Sequence, residues 1–386
     1  MTLSEPDANT RFVAEHIAHR YLQFNPLERW PGHRGALKSS AQSRGFTVSV
    51  HGNTMMFFSG GLCLGASTGL ISSLIGYSAS RLTKSKNATR EILKAAGTPL
   101  PAGKAFDAEG AVAARRFIEA ELSQHPDRAF VLKPSDGNAG RGITTGIVSG
   151  GEVAGAWKRA QAASKDGEIV VEEQVAGVDV RVFVVGGRAV SAAVRLPAHV
   201  IGDGRRTLAE LIEEFSVVRR VNAYLAARDP FVDERHLARS DYDLSTVPGR
   251  GEAVFLNGTA NISQGGASVD VTETIAPQLL DVAVAAAAAV PGLGTAGVDL
   301  LVPDLATAEG AHVIELNPSA NCSINQFPAY GEGRDVTGAI LDEMHRVAVG
   351  RSVRPLIDDP PLTRVAPPPN ARYTGVPPGA PRCARG

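Results

Sequence analysis

The sequence predicts a mixed α+β protein built from two or three domains or subdomains. Its 386 residues are more than one small core holds together. Segments with strand alternation and segments with helical spacing follow one another along the chain. Two strand segments, "VDVRVFVV" and "RAVSAAVRL", are joined by Gly186 and Gly187, the signature of a tight hairpin.

Residues 11–50 read as a helix, a Pro/Gly-broken loop, a second helix near Leu37–Ser43 and the strand "FTVSVHG". Thr54 to Gly76 is uncharged and long enough to cross a bilayer. Gly60, Gly61, Gly65 and Gly69 break it, and no basic cluster or aromatic belt flanks it, so a buried strand, turn and helix is expected. "KSKNATREILKAAGTPLP" reads as a helix ended by Gly97 and Pro99, and "AEGAVAARRFIEAELSQ" as another. Strands "RAFVLKPS" and "GITTGIVS", the helix "GEVAGAWKRAQAAS" and the strand "EIVVEEQV" lead into the hairpin. "RRTLAELIEEFSVVRRVNAYLAA" reads as a long helix or helix pair, and "PQLLDVAVAAAAAVPG" as a helix whose alanines allow close packing. The strands "GTAGVDLLVPD" and "AHVIELNPS" precede a last helix, and from Arg351 a Pro-rich tail is expected to stay disordered.

Composition narrows the function. Net charge is −1 and aromatics are 5%, which argues against a nucleic-acid partner. The cysteines, Cys63, Cys322 and Cys383, form no CxxC pair, so neither a structural zinc site nor a disulfide framework is indicated, and a reducing cytoplasm fits. The polar, acidic N-terminus is not a signal peptide, and no membrane partner is expected.

Three stretches carry chemistry. In "VLKPSDGNAGRGITTGI" a strand ends on Lys133 and dissolves into Gly137, Gly140 and Gly142. Glycine loops let backbone N–H groups approach an anion, but the lysine here precedes the glycines, unlike a Walker A loop. An ordinary hairpin with a mobile tip fits the same letters. In "GVDLLVPDLATAEGAHVIELNPSANCSIN", Asp299 stands at the start of one strand, and Glu315 and Asn317 share a face of the next. Three oxygen donors on adjacent strands suit magnesium, and polar strand ends suit the letters equally. In "IVVEEQVAGVDVRVFVV" a buried strand runs into paired glutamates and a turn at Gly177, as an adenine hinge would or as a solvent-facing strand end would.

In this order the three stretches resemble the ATP-grasp superfamily. "GVDVRVFVVGGRAVSAAVRLPAHVIGDGRRTLAELIEE", "TANISQGGASVDVT" and "GTAGVDLLVPD" are similar to the ATP-grasp domain of cyanophycin synthetases and to the glutathione-synthetase module of bifunctional bacterial glutathione enzymes. "NQFPAYGEGRDVTGAIL" resembles the latter more, and the likeness runs from about Leu82 to Val349. It implies an α+β ATP-grasp fold, with nucleotide held between two subdomains, 86–170 and 171–350. A small N-terminal α/β domain, 1–85, stands on the substrate side, and 351–386 form the tail.

It further implies that Lys86 and Lys133 contact the phosphates of ATP, and that Ser135 to Gly142, with Gly137 and Gly140, close over them. Glu172 and Val175 would line the adenine site, and Asp179 would hold the ribose. Asp299, Glu315 and Asn317 would hold two magnesium ions. Arg181 and Arg195 are expected near the transferred phosphoryl group or a substrate carboxylate, and Asn261 near the phosphates. One position departs from the pattern: Asn257 stands where related sequences carry arginine. Cys322 would line the acceptor pocket. The implied activity is ATP-dependent ligation of a carboxylate to an amine through an acyl phosphate, with amino acids or a short peptide as substrates, γ-glutamyl in type, by a homo-oligomer. A non-catalytic ATP-binding scaffold and a carboxylate kinase are the alternatives.

Overall fold

A computed structural model describes residues 7–136 and 140–353. The expected tail beyond residue 353 and the loop residue Gly137 lie outside the described residues.

Near the N-terminus, β1 (Thr47–His51), β2 (Thr54–Ser59), β3 (Leu62–Thr68) and β4 (Ile71–Ser72) form an antiparallel meander. The segment expected to hold a strand, turn and helix therefore holds three strands joined by tight turns, and no helix. Gly60 and Gly61 have φ of +55° and +82°, and this left-handed pair folds β2 directly onto β3. Among the described residues no helix is long and apolar enough to cross a membrane. The meander packs with helices Gly32–Ser43 and Val336–Val353 around Leu37, Phe57, Leu64, Leu341 and Met344. That last helix runs past the expected start of the tail at Arg351.

A second sheet, in the order β5 (Gly103–Phe106), β8 (Ile169–Glu173), β6 (Phe130–Pro134), β7 (Thr144–Ile147), carries helices Ala111–Gln124 and Val153–Ala163 over its own core of Ile118, Phe130, Leu132 and Trp157. The third sheet is central. Its strands are β9 (Val178–Val185), β10 (Arg188–Leu196), β13 (Ala267–Asp270), β14 (Thr295–Val302) and β15 (His312–Asn317), in the order β13-β10-β9-β14-β15. Between β10 and β13 the chain adds a small ribbon of β11 (His199–Ile201) and β12 (Ala253–Phe255). Gly186 and Gly187, at φ of +57° and +74°, make the tight turn between β9 and β10.

Alternation along β9 assigns its side chains to different surroundings. Val180, Val182 and Val184 enter the large core, against helix Pro277–Ala288, whose Ala283, Ala286 and Ala287 let it approach closely. Phe183 and Val185 point the other way, into the N-terminal core. Asp179 and Arg181 share that second face farther along. Two expectations need correction. Asp299 lies inside β14, paired with Arg181 of β9 and Glu315 of β15, rather than at a strand start. Where a long helix or helix pair is expected after Arg206, one α-helix ends at Val218 and a 3-10 turn follows over Arg219–Val221; the Asn222 side chain then accepts from the amides of Tyr224 (3.0 Å) and Leu225 (3.3 Å) and turns the chain.

Candidate active site

The site lies where the second and central sheets meet helix Lys86–Ala95. Ser85 caps that helix by accepting from the Ala88 amide at 3.1 Å, and the Lys86 amide donates to the Ser135 carbonyl at 2.9 Å. Ser135 is fully buried, and Asp136 accepts from the Lys165 amide and the Ser164 hydroxyl. The start of the glycine loop is thus tied to both flanking helices. Gly140 and Gly142 adopt φ of +75° and +76°, and a Cβ on Gly142 would stand 2.6 Å from that of Ala163.

Lys133 and Glu172, on neighbouring strands β6 and β8, form a buried ion pair. Arg90 joins them, donating to Glu172 at 3.0 Å and to the Pro101 carbonyl at 2.7 Å. A lysine at the end of an apolar strand costs desolvation unless an anion meets it, and Glu172 supplies that anion within the protein. Arg90 was missed by the sequence reading, although its i+4 spacing from Lys86 places both on one helix face. Around this triad Leu93, Leu100, Val313 and Leu316, with Thr83, Thr89, Lys86 and Glu315, line a small pocket of about 20 Å³ and mixed polarity. Val175 is half-buried just beyond β8.

Thr83, Lys86 and Glu315 border both this pocket and a cleft of about 530 Å³. Lys86 pairs with Glu315 at 3.2 Å. The Asn317 amide donates to Asp299 at 3.0 Å and to Glu315 at 3.2 Å, so the three expected metal ligands converge. Their head groups supply hard oxygens, and this donor set fits magnesium. Arg181 grips Asp299 through two 2.7 Å bonds, and Arg195 reaches it at 3.0 Å, so the carboxylate would share itself between these cations and a metal. Among the described residues, no group of three or more His, Cys, Asp or Glu side chains is placed to hold a metal ion. Gly297 makes room for the arginine: a Cβ there would lie 2.5 Å from that of Ala320 and 3.2 Å from the Arg181 side chain.

Asp179 completes the row through a bidentate contact with Arg195 at 2.7 and 2.8 Å. Burial pushes the Asp179 carboxyl up to about 6, against the pull of Arg195. Burial also pushes Asp299 upward, but Arg181 and Arg195 outweigh it and hold Asp299 below the usual range. Asn261 caps a short turn, accepting from the Ser263 amide and hydroxyl at 2.9 and 2.8 Å. The structure does not bring its side chain into the charged row. Asn257 is buried, donating to the Phe231 carbonyl at 2.8 Å and accepting from the Thr259 amide at 3.1 Å, so it holds loops together. Burial pushes the Cys322 thiol up to about 12, which removes it as a nucleophile near neutral pH.

Fold and sequence together define an ATP-grasp protein. Its sequence is similar to the cyanophycin synthetase of Trichormus variabilis, 34% identical over 277 residues, covering 67% of this chain and 28% of that protein. It is also similar to the glutathione biosynthesis bifunctional protein of Streptococcus thermophilus, 32% identical over 279 residues, covering 67% of this chain and 35% of that one. The chain thus spans about a third of the length of these curated relatives. The crystal structure of a bifunctional glutathione synthetase from Pasteurella multocida shares the fold, with a TM-score of 0.58 at 24% identity over 81% of this chain and 44% of that chain. No protein-family model matches the chain.

Proposed function

We propose that this chain is an ATP-dependent ligase that joins a carboxylate to an amine through an acyl phosphate. The observation that carries the reading is a pair of adjoining spaces that share a wall. Lys133 lines a small pocket of about 20 Å³ and Asn317 lines the cleft of about 530 Å³; Lys86 and Glu315 border both, and Asn317 donates to Asp299 and Glu315. Glu172 and Val175 are assigned to the base, for which the pocket of about 20 Å³ must widen, and the lysines are assigned to the phosphates. Asp179 is assigned to the ribose, although its carboxylate is held by Arg195 in this structure. Asn261 is assigned to the phosphate side through its loop.

Asp299, Glu315 and Asn317 would hold magnesium, two ions on this reading, which supply positive charge to the phosphates when bound. The donor carboxylate attacks the terminal phosphorus and ADP leaves. The amine then attacks the acyl carbon, phosphate departs with the bonding electrons, and the nitrogen loses a proton. The chain's own contribution is positioning and charge. Lys86 and Lys133 face the phosphates, and Arg181 and Arg195 stand where charge passes to the acyl group. Residues 86–170 would close against 171–350 through the loop that begins at Ser135, excluding water from the acyl phosphate.

The substrates on this reading are amino acids or a short peptide, with a γ-glutamyl donor, handled by a cytoplasmic homo-oligomer. The test is phosphate release across donor and amine pairs, followed by mass analysis of the product. ADP formation that requires both a carboxylate and an amine supports the ligase. ADP formation with the carboxylate alone indicates a carboxylate kinase, and nucleotide binding without turnover indicates a scaffold.

A further inference from the structure

The cleft of about 530 Å³ is lined by four cations, Arg81, Lys84, Lys86 and Lys165, and three carboxylates, Asp136, Asp166 and Glu315. The carboxylates are all engaged. Glu315 pairs with Lys86. Asp136 accepts from the Lys165 amide and the Ser164 hydroxyl. Asp166 accepts from the Ser164 hydroxyl at 2.9 Å and the Glu168 amide at 3.0 Å. Among the described residues, Arg81, Lys84 and Lys165 form no ion pair. The lining therefore carries four positive and three negative charges, a net charge of +1, and Arg81 and Lys84 are exposed cations with no ion-pair partner among the described residues.

Arg81 and Lys84 differ from Lys165 in where they stand. Both come from the N-terminal side, at and just after the end of helix Tyr77–Leu82. The backbone that carries them is well tied: Thr83 donates to Ala79, Lys84 to Arg81 and Ser85 to Leu82, while Gly76 donates to Gly292 of the central unit at 2.8 Å. Neither residue borders the pocket that holds Lys133, whereas Thr83, Lys86 and Glu315 border both spaces. Arg81 and Lys84, with Ile71, Ser80 and Ser319, line the cleft alone. On the ligase reading, with the nucleotide base beside Lys133, the acyl donor enters from the cleft.

We propose that Arg81 and Lys84 bind a second, non-reacting carboxylate of the acyl donor, so that the donor is a dicarboxylic amino acid or a peptide ending in one. This rests on the ligase reading above. It extends that reading to residues outside the central and C-terminal sheets. One guanidinium and one ammonium group on a fixed backbone suit a carboxylate, and pairing would give two exposed cations a partner.

The test is calorimetric. Protein loaded with ADP and magnesium is titrated with L-aspartate, with L-glutamate and with the monoamides of each. The parent is expected to bind one diacid at least about tenfold more tightly than the amide that lacks its second charge, the scale of a charge-assisted contact. The Arg81→Ala/Lys84→Ala double variant is expected to lose that preference while keeping its ADP affinity. No preference for the diacid in the parent overturns the proposal. So does a variant that loses ADP affinity and keeps the diacid preference, because the cations would then serve phosphate. A parent that shows the preference yet releases no phosphate with any amine fails the ligase reading and leaves the anion site standing.

Discussion

The two faces of the central sheet use the same strands for opposite purposes. One face buries Val180, Val182, Val194, Val298 and Leu300 under an alanine-rich helix. The other, one residue out of step, carries Asp179, Arg181, Arg195, Asp299, Glu315 and Asn317. The apolar face is stabilised by removal of surface from water, so its cost of change is paid in stability. The charged face is half-buried, and burial of charge is unfavourable unless each group is paired. Arg181 answers Asp299, and Arg195 answers Asp179. The lesson is that residues two apart share a role, whereas neighbours one apart need not.

The sharpest break of this comparison is at Glu315. Replacing it with alanine removes an oxygen donor and the partner of Lys86. Turnover should fall roughly a hundredfold or more, the scale for losing one electrostatic group of a site, with the urea midpoint unchanged. Near-normal turnover at saturating magnesium would take Glu315 out of the metal set.

Lys133→Ala tests the second sheet against the central one. It should weaken ATP binding by about 1.5–3 kcal/mol, roughly ten- to a hundredfold. Because Arg90 still answers Glu172, the fold should survive. Titration of ATP into the variant decides this, and parent-like affinity would end the phosphate assignment of β6.

Val182→Ala probes the apolar face. Val182 is fully buried, and truncation should lower stability by about 1.5–3 kcal/mol. Denaturant unfolding would show the loss, and KM for ATP should not move. A changed KM would mean that the two faces are less independent than their packing implies.

The smallest effect tests their junction. Gly297→Ala would set a Cβ 2.5 Å from Ala320 and press on Arg181. It should lower stability by about 1–3 kcal/mol, the range for overpacking, and lower turnover modestly through the displaced guanidinium. Unchanged stability would show that the loop at Ala320 yields freely.

Much of this was legible in the letters. Period-two alternation from Val178 to Val185 announced β9, and the glycine pair announced its turn. Alternation also put Glu315 and Asn317 on one face before their register was known. The meander at 54–72 was not legible, because an apolar run without a period fits strand and helix alike until a partner strand is present. Arg90 was hidden because nothing local says that the Glu172 carboxylate lies against its helix.

What the sequence determined by itself was the set of local elements and the residue types each one presents. The lysine before a glycine loop, the paired arginines on a hairpin and the acid and amide two apart on a strand all follow from period and composition, which neighbouring residues decide among themselves. The tertiary structure alone decided who answers whom. Arg181 and Asp299 are 118 residues apart, and Lys133 meets Glu172 only through the register of β6 on β8. Asn257 is a buried clamp on the Phe231 loop, which its place in the sequence does not reveal. Charge pairing falls off steeply with distance and with exposure, so it is set by the few ångströms that packing controls rather than by the order of the residues.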